Sequence, residues 1–307
     1  MKYFIGIDAG GSKTKIAIAD EKSDIIYSAS GNAANILKEG TKSAAKLVAG
    51  LINKSLSDSG IFPEDIAGTV IGAAGAGRKS DAENFSAELE KFLSGRFETR
   101  VISDAEAALE GAFGGKPGCI LISGTGSIAY GKDKNGNIYR SGGFGRLIGD
   151  EGSGYSIGRK GLNEFSRQLD GRREKSLLYE VLKIKLNVKS PDDLISVVNA
   201  ENFNIASVAP PVIETAPQGD KICLKIIDEE TNELIDLGTS VFSKSQTGEK
   251  RLSLSGSIIS TENYFSSTFK QKLYKKFPGI KIIEPEFPPE TGAVLIAIKL
   301  FKKRTEN

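Results

Sequence analysis

A pattern of three short apolar stretches, with a glycine turn after the first, occurs twice in the chain. The first copy runs through Tyr3–Ile7, Lys15–Ala19 and Ile25–Ala29, and the second through 119–122, 128–131 and 138–141. Short apolar runs separated by polar or glycine turns are typical of β-meanders. The repetition predicts two related domains built on the same strand arrangement.

Helical periodicity follows the first meander. Apolar residues recur at helical spacing over Thr41–Leu56 and Asp81–Leu93, and 68–72 and 100–102 have the composition of buried strands. In the second half we predict one long helix from about Val208 to Phe242 and a final helix from about Thr291 to Lys302. The mixture predicts an α/β fold.

The residue inventory excludes several kinds of catalysis. The chain has no histidine and only two cysteines, Cys119 and Cys223. It therefore cannot assemble a Ser-His-Asp or Cys-His nucleophile or a His-ligated zinc site. Catalysis has to use carboxylates, hydroxyls, lysines, backbone amides and a hard metal ion. The two separated cysteines match neither a disulfide framework nor a metal motif, which favours a reducing compartment.

Charge and hydropathy make several partners unexpected. Basic residues number 41 and acidic residues 39, and both are spread along the chain. This balance gives no electrostatic reason to expect nucleic acid or an anionic membrane as a partner. The sequence begins with a strand-like stretch instead of a signal segment, and no apolar stretch reaches the ~20 residues of a membrane span. We predict a cytoplasmic protein.

Each meander has a glycine turn of the kind that cradles phosphate. The first contains Gly10, Gly11, Ser12, Lys13 and Thr14; the second contains Gly124, Thr125, Gly126 and Ser127. Glycine allows backbone N–H groups to approach an anion closely. The first turn is not a Walker A loop, because a strand follows it where a helix is needed, and the second lacks the helix of a dinucleotide-binding motif. Either turn alone could be an ordinary hairpin, but two equivalent turns favour a bound nucleotide.

Three aspartates are candidate functional groups, each with a structural alternative. Asp8 ends a strand beside the first glycine turn and could hold Mg²⁺ through water or begin a turn. Asp104 lies where a strand becomes a helix, and local sequence favours a helix N-cap. Asp150, beside Glu151, lies near another helix start, where acids also favour the helix dipole.

These segments resemble a known family. The chain is similar to the N-acetylglucosamine kinase-like branch of the sugar kinase, heat-shock chaperone and actin superfamily, grouped with the BadF/BadG/BcrA/BcrD ATPases. The matching stretches are Ile5–Thr14, Ile102–Ala105, Ile122–Ser127, Gly142–Gly145, Ile148–Tyr155 and Leu254–Ser257. Their order and spacing cover nearly the whole chain.

The resemblance implies an α/β fold of two actin-like (ribonuclease H-like) domains with a nucleotide- and sugar-binding cleft between them. Residues 1–113, with the C-terminal helix 291–307, would form the N-terminal domain, and 114–290 the C-terminal domain. Relatives also suggest a homodimer.

The resemblance further implies the roles of individual residues. ATP and Mg²⁺ would be held by the loops Gly10–Thr14 and Gly124–Ser127, with Asp8 holding the metal through water and adenosine near Gly256 and Ser257. Asp104 would be the general base, in place of the N-cap role that local sequence favours. The sugar would be held by Asn35, Asp104, Thr125 and Asp150. The family often has tryptophan where Phe144 stands, and often glycine and valine where Ser257 and Ile258 stand.

The implied activity is ATP-dependent phosphorylation of the 6-hydroxyl of an amino sugar, with N-acetylglucosamine favoured over glucosamine, N-acetylmuramic acid and glucose. This chemistry requires positioning and charge stabilisation, which the histidine-free inventory can provide. Two alternatives stay open: an ATPase activator of a radical dehydratase or reductase, and a nucleotide or sugar sensor without turnover.

Overall fold

The computed structural model describes residues 1–246 and 249–305, with side chains through Lys302. The chain divides into two compact units. Unit 1 comprises Met1–Pro117 and the C-terminal segment from Glu284, and unit 2 comprises Gly118–Ile283.

Unit 1 is built on a five-stranded mixed sheet. Its strands are β1 (Tyr3–Ala9), β2 (Lys13–Ala19), β3 (Ile25–Asn32), β4 (Ile66–Ala73) and β5 (Thr99–Ser103), in the spatial order β3-β2-β1-β4-β5. The first three strands form an antiparallel meander, and β4 and β5 continue the sheet in parallel. Its helices are α1 (Ile36–Glu39), α2 (Thr41–Ser59), α3 (Lys79–Glu90), α4 (Asp104–Ala112) and, from the C-terminal segment, α11 (Pro289–Thr305).

Helices cover both faces of this sheet, which explains why β1 and β4 are apolar almost throughout. Ile5 and Ile7 of β1 pack with α2 and α3, whereas Phe4 points to the opposite face and packs with α4 and α11. Residues that alternate along a strand thus serve two separate cores. Polar residues stand at the carboxyl ends of β1 and β5, where Asp8 and Ser103 lie.

Unit 2 repeats this topology. Its strands are β6 (Gly118–Ser123), β7 (Ser127–Lys132), β8 (Ile138–Gly142), β9 (Arg251–Ser255) and β10 (Lys281–Ile283), in the spatial order β10-β9-β6-β7-β8. Its helices are α5 (Gly154–Leu169), α6 (Leu177–Leu186), α7 (Pro191–Val198), α8 (Ala209–Thr215), α9 (Lys221–Ser245) and α10 (Tyr264–Lys276). A meander followed by two parallel strands is the arrangement of unit 1, so the predicted α/β class and strand repeat are confirmed.

The single long helix predicted from Val208 to Phe242 is wrong. The structure has α8, a short 3₁₀ turn at Ala216–Gln218, and then α9 as a separate helix. The chain breaks at Gly219, whose φ of 91° is left-handed, and Asp220 then caps α9 by accepting hydrogen bonds from the N–H groups of Ile222 and Cys223. Apolar residues keep helical spacing on both sides of the break, which is why periodicity alone misses it.

The first turn of α4 rests directly on β4 at Gly72. A Cβ atom added at Gly72 would lie 2.7 Å from the Cβ of Ala107 and 3.4 Å from the Cα of Asp104. Glycine is required here because the helix backbone approaches the strand too closely for a side chain. The position of Asp104 relative to the sheet therefore depends on Gly72.

We expect Gly72→Ala to destabilise the chain by about 1–3 kcal/mol, because α4 must move to admit the methyl group. Urea unfolding followed by circular dichroism measures the change. Gly50→Ala is the matched control, since a Cβ at Gly50 meets nothing within 4 Å and the residue lies inside α2. The control should gain about 0.5–1 kcal/mol from helix propensity. Equal effects of the two substitutions would contradict the close approach of α4 to β4.

Across the part of the chain that the structure covers, no helix is both long enough and apolar enough to span a bilayer.

Candidate functional site

The turn between β1 and β2 presents backbone donors. Ala9 pairs with Thr14 across the hairpin, and the N–H of Gly10 donates to the carbonyl of Lys13 at 3.2 Å. Gly11 and Ser12 are exposed, and within residues 1–246 and 249–305 nothing accepts a hydrogen bond from their N–H groups. Adjacent unpaired N–H groups, with the Lys13 ammonium beside them, can bind an anion.

Thr14, which was predicted to belong to the same loop, has a different environment. It is 2% exposed, and its hydroxyl donates to the carbonyl of Asn32 at 2.7 Å. A phosphate oxygen needs a donor, and this hydroxyl hydrogen is already used within the sheet. The structure therefore places Thr14 in the β2–β3 pairing, where it supports the loop from below.

Three carboxylates lie close together in unit 1. Asp8 lies near the end of β1, Asp104 begins α4, and Glu290 lies in the first turn of α11. Burial, together with the negative charges of Asp104 and Glu290, raises the pKa of Asp8 to about 6, and the lowering effects of Lys15 and Lys13 only partly oppose this shift. Glu290 forms an ion pair with Lys15 at 3.2 Å, but its Oε2 atom is buried without a hydrogen-bond partner. The cluster is therefore short of positive charge.

Asp104 is not the N-cap of α4. Ser103 is the cap, and its hydroxyl accepts a hydrogen bond from the N–H of Glu106 at 3.2 Å. Asp104 is the first helical residue, and its Oδ1 accepts from the N–H of Ala105 at 2.9 Å. Burial raises the pKa of Asp104 above its ordinary value, although these backbone contacts act to lower it. Because Ser103 is the N-cap, the Asp104 carboxylate bonds to backbone N–H groups at the start of α4 and keeps acceptor capacity for a ligand.

The raised pKa of Asp8 predicts a pH-dependent stability. The folded chain holds a proton on Asp8 up to about pH 6, whereas the ordinary value of 3.8 applies to the unfolded chain. Between these values the folded state binds more protons, so stability falls as pH rises, and the loss is complete above about pH 6. We expect Asp8→Asn to recover about 3 kcal/mol at pH 8 and little at pH 4.

Urea unfolding at both pH values tests this expectation. Asp24→Asn is the control, because Asp24 is an exposed acid in the β2–β3 turn of the same unit. A gain for Asp8→Asn that is the same at pH 4 and pH 8 would show that the Asp8 carboxylate is not destabilised by its surroundings.

Asn35 lies beside the first glycine turn. It caps α1, with its Oδ1 accepting from the N–H of Leu37 at 2.8 Å. Its Nδ2 atom is 3.5 Å from the position that a Cβ of Gly11 would occupy. The capping bond fixes one end of the amide and directs the other toward the loop, where it can donate to a ligand.

Unit 2 presents an equivalent turn between β6 and β7. The N–H of Gly124 donates to the carbonyl of Gly126 at 3.0 Å, and Thr125 is exposed at the tip. The turn after β9 packs against it: Gly256 has φ 90°, and a Cβ there would lie 2.4 Å from the carbonyl oxygen of Ser123. The predicted loop Gly124–Ser127 and the predicted pair Gly256 and Ser257 are therefore neighbours within unit 2.

Asp150 is joined to this turn. It has a left-handed φ of 62°, and its Oδ1 accepts a hydrogen bond from the N–H of Ser127 at 3.3 Å. Partial burial raises the pKa of its carboxyl. The helix-dipole alternative fits poorly, because α5 begins only at Gly154 with Ser153 as its cap. The N–H of Gly154 donates to the carbonyl of Gly124 at 2.8 Å, so the start of α5 is fixed to the turn.

Glu230 was missed by sequence analysis. This carboxylate of α9 is 1% exposed, accepts from the N–H of Gly152 at 2.5 Å and from the hydroxyl of Ser156 at 2.9 Å, and pairs with Lys160 at 2.8 Å. It thereby holds the segment that carries Asp150. An acid within a charged helical stretch has the pattern of a solvent-facing residue, so only the tertiary structure identifies it.

Comparison with known proteins assigns the family. The sequence profile of the BadF/BadG/BcrA/BcrD ATPase family matches residues 5–297. The chain belongs to this family. The predicted resemblance is confirmed.

Two curated relatives match this BadF-family chain over nearly their full lengths. It is 34% identical to an N-acetylmuramic acid/N-acetylglucosamine kinase of Clostridium acetobutylicum, over 97% of this chain and 98% of the relative. It is 28% identical to an N-acetyl-D-glucosamine kinase of Dictyostelium discoideum, with the same coverage. Among solved structures, a candidate N-acetylglucosamine kinase of Chromobacterium violaceum aligns with a TM-score of 0.75 and 22% identity, covering 96% of this chain and 99% of that one. The structural match supports the fold.

The cysteines of this BadF-family chain lie in the core of unit 2. Cys119 is 1% exposed and Cys223 is fully buried. Burial raises the pKa of Cys119 to about 11 and also raises the pKa of Cys223. Neither residue presents an accessible thiolate, which a cluster shared with another subunit requires. This observation weighs against the activator alternative.

An ATPase family implies Mg²⁺, and the acidic cluster of unit 1 fits a cation. The mutual repulsion of Asp8, Asp104 and Glu290 and the unpartnered Oε2 atom of Glu290 would both be relieved by a positive charge. The described residues contain no group of three side chains able to ligate a metal directly. This donor set would suit a magnesium ion that keeps most of its ligands as water and phosphate oxygens, and Asp8 is the residue that would contact it through water.

Proposed function

We propose that the chain is an ATP-dependent kinase that transfers the γ-phosphoryl group to the 6-hydroxyl of an amino sugar, with N-acetylglucosamine as the first choice. The observation that carries the proposal is the placement of Asp104: a buried carboxylate with a raised pKa, close to Asp8, at the first helical position of α4 and not at its N-cap. The names of the full-length relatives from Clostridium acetobutylicum and Dictyostelium discoideum support the substrate class.

The glycine turns would bind the nucleotide. In unit 1 the N–H groups of Gly11 and Ser12, with the Lys13 ammonium, suit the phosphate chain, and in unit 2 the turn Gly124–Ser127 offers a second set of amides. Gly256 and Ser257 border that second turn, and they would contact the adenosine part of the nucleotide. Backbone donors fixed before the reaction can stabilise charge on the transferring group without rearranging. A magnesium ion near Asp8 would neutralise the charge of the β- and γ-phosphates.

Asp104 would act on the acceptor. The sugar hydroxyl would donate a hydrogen bond to its carboxylate, which takes the proton as the hydroxyl oxygen forms its bond to phosphorus and the bond to the ADP oxygen breaks. A raised pKa makes this carboxylate a stronger base than an exposed aspartate. Asn35 from unit 1 and Thr125 and Asp150 from unit 2 would hydrogen-bond the other sugar hydroxyls and set orientation. Each of these side chains is at least partly exposed.

A coupled ADP-release assay tests the function. Purified protein with ATP and Mg²⁺ is given N-acetylglucosamine, glucosamine, N-acetylmuramic acid or glucose, and NMR identifies the phosphorylated position. We expect ADP release that depends on the sugar and a 6-phosphate product. ATP hydrolysis at a rate that does not depend on the sugar would indicate an activator. Sugar binding without turnover would indicate a sensor.

The chemical differences among the four sugars predict how far their kcat/KM values should differ in this assay. These substrates differ by single substituents, and each such difference is worth about 1–3 kcal/mol in a pocket. We therefore expect kcat/KM ratios of roughly 10 to 200 between the best sugar and its neighbours.

A further inference from the structure

Unit 2 contains a cavity of about 620 Å³ that the proposed reaction does not use. It lies between one face of α5 and the first turns of α9. Its lining has only two acidic side chains, Glu164 and Glu229, against six basic ones, which are Arg159, Lys160, Arg167, Arg173, Lys221 and Lys225. The volume is within the range of small-molecule sites.

Half of these cations are not neutralised by the protein. Lys160 pairs with Glu229 at 2.7 Å, Arg167 pairs with Glu164 at 3.3 Å, and Lys225 is 3.8 Å from Glu229. Among residues 1–246 and 249–305, no acidic group lies within ion-pair distance of Arg159, Arg173 or Lys221. The whole chain has a formal charge of only +2, so this concentration of positive charge is local.

The nearby acids do not cancel this charge. Asp220 caps α9, accepting from the N–H groups of Ile222 and Cys223, and it also accepts from the N–H of Leu178. Its carboxylate is thus occupied by backbone donors. Glu230 lies beneath Lys160, and its carboxylate is already hydrogen-bonded to Gly152 and Ser156 and ion-paired with Lys160.

The composition of the lining indicates the ligand class. Two arginines without partners offer forked donors that match phosphate oxygens, and Lys221 adds a point charge. Asn163 can hydrogen-bond a ligand hydroxyl, and Ile222 and Ile226 can contact the apolar carbon atoms of a small ligand. A dianionic phosphate, alone or attached to a sugar-sized molecule, fits this set.

The cavity is linked to the glycine turn of unit 2 by one ion pair. Lys160 lines the cavity, and its partner Glu230 accepts the hydrogen bond of the Gly152 N–H. Gly152 belongs to the segment that carries Asp150. An anion that attracts Lys160 would weaken its hold on Glu230, and through Glu230 it would loosen this segment.

We propose that this cavity is an effector site for a small phosphate dianion, free or as a phosphomonoester, and that Lys160 and Glu230 couple its occupancy to the segment Asp150–Gly154. The binding step is independent of the proposed kinase activity. Only an effect on turnover would rest on that function.

Isothermal titration calorimetry without ATP tests the site. The probes are inorganic phosphate, glucose 6-phosphate and, as the uncharged comparison, glucose. The cavity variant is Arg173→Ala/Lys221→Ala, and the matched control is Lys42→Ala/Lys46→Ala, which removes two exposed basic residues from α2 in unit 1. Unfolding midpoints of both variants check that they remain folded.

We expect both phosphates to bind the wild type and the control with sub-millimolar Kd, and the cavity variant to bind at least tenfold more weakly. Tighter binding of glucose 6-phosphate would assign the site to phosphomonoesters, and equal binding would assign it to free phosphate. Binding that survives in the cavity variant, as it would at a nucleotide loop, overturns the proposal. So does the absence of binding, or a stronger affinity for an RNA oligonucleotide than for either phosphate.

Hydrogen exchange tests the coupling. We expect saturating phosphate to speed exchange of the Gly152 amide severalfold in the wild type, and to leave it unchanged in Lys160→Gln. Unchanged exchange in the wild type would show that the cavity and the turn are not coupled.

Discussion

Asp104→Asn is expected to lower kcat for sugar phosphorylation by roughly 10²–10⁴ while leaving ATP affinity nearly unchanged. The amide has the shape of the carboxylate but cannot accept the proton of the acceptor hydroxyl. The nucleotide donors proposed above are the backbone N–H groups of the two glycine turns and the Lys13 ammonium, and the substitution removes none of them. Steady-state kinetics with the best sugar give kcat, and calorimetric titration with a non-hydrolysable ATP analogue gives the affinity.

Asp104→Ala should lose activity to a similar extent. Ser103 supplies the cap of α4, so the helix should keep its start in both variants. Near wild-type turnover in either one would remove Asp104 from the mechanism. A parallel loss of ATP binding would instead indicate that Asp104 supports the nucleotide site.

Glu230→Ala is expected to have the largest effect on stability, on the order of 3 kcal/mol. The substitution leaves the N–H of Gly152 and the hydroxyl of Ser156 without acceptors in a buried place, and it removes one of the two partners of Lys160. Urea unfolding measures the loss. Proteolysis should become faster between Asp150 and Ser156 before the rest of unit 2 is affected.

Glu229→Ala is the matched control. Glu229 also pairs with Lys160, one residue away on α9, but its side chain is 42% exposed. An exposed ion pair contributes about 0–1 kcal/mol, so this variant should be nearly as stable as the wild type. Similar losses for Glu229→Ala and Glu230→Ala would mean that the buried hydrogen bonds to Gly152 and Ser156 add little.

The repeated meander was predictable because each strand is short, apolar and bounded by turn residues. Local patterns of this kind specify secondary structure directly. The break between α8 and α9 was not predictable from periodicity, because the apolar face continues on both sides of Gly219. The capping of α4 by Ser103 was also missed, since serine and aspartate are both good caps and only the three-dimensional geometry distinguishes them.

The candidate site was predictable where residues lie next to a glycine turn, as Asp8 and Thr125 do. Its supporting groups come from distant parts of the sequence and have no local signature. Glu290 reaches the Asp8 cluster from the C-terminal helix, and Glu230 reaches Gly152 from α9. Thr14 shows the converse, because a hydroxyl within a motif can be used by the sheet itself.

The last helix of the chain completes the first unit. α11 covers β1 and α4, and a Cβ at its Gly292 would lie 2.1 Å from the carbonyl oxygen of Ala107. On a ribosome, unit 2 has all of its sequence available before α11 emerges. Unit 1, although most of it is synthesised first, keeps one face of its sheet uncovered until α11 has been synthesised. A nascent chain stalled before residue 289 should therefore present that apolar face to chaperones.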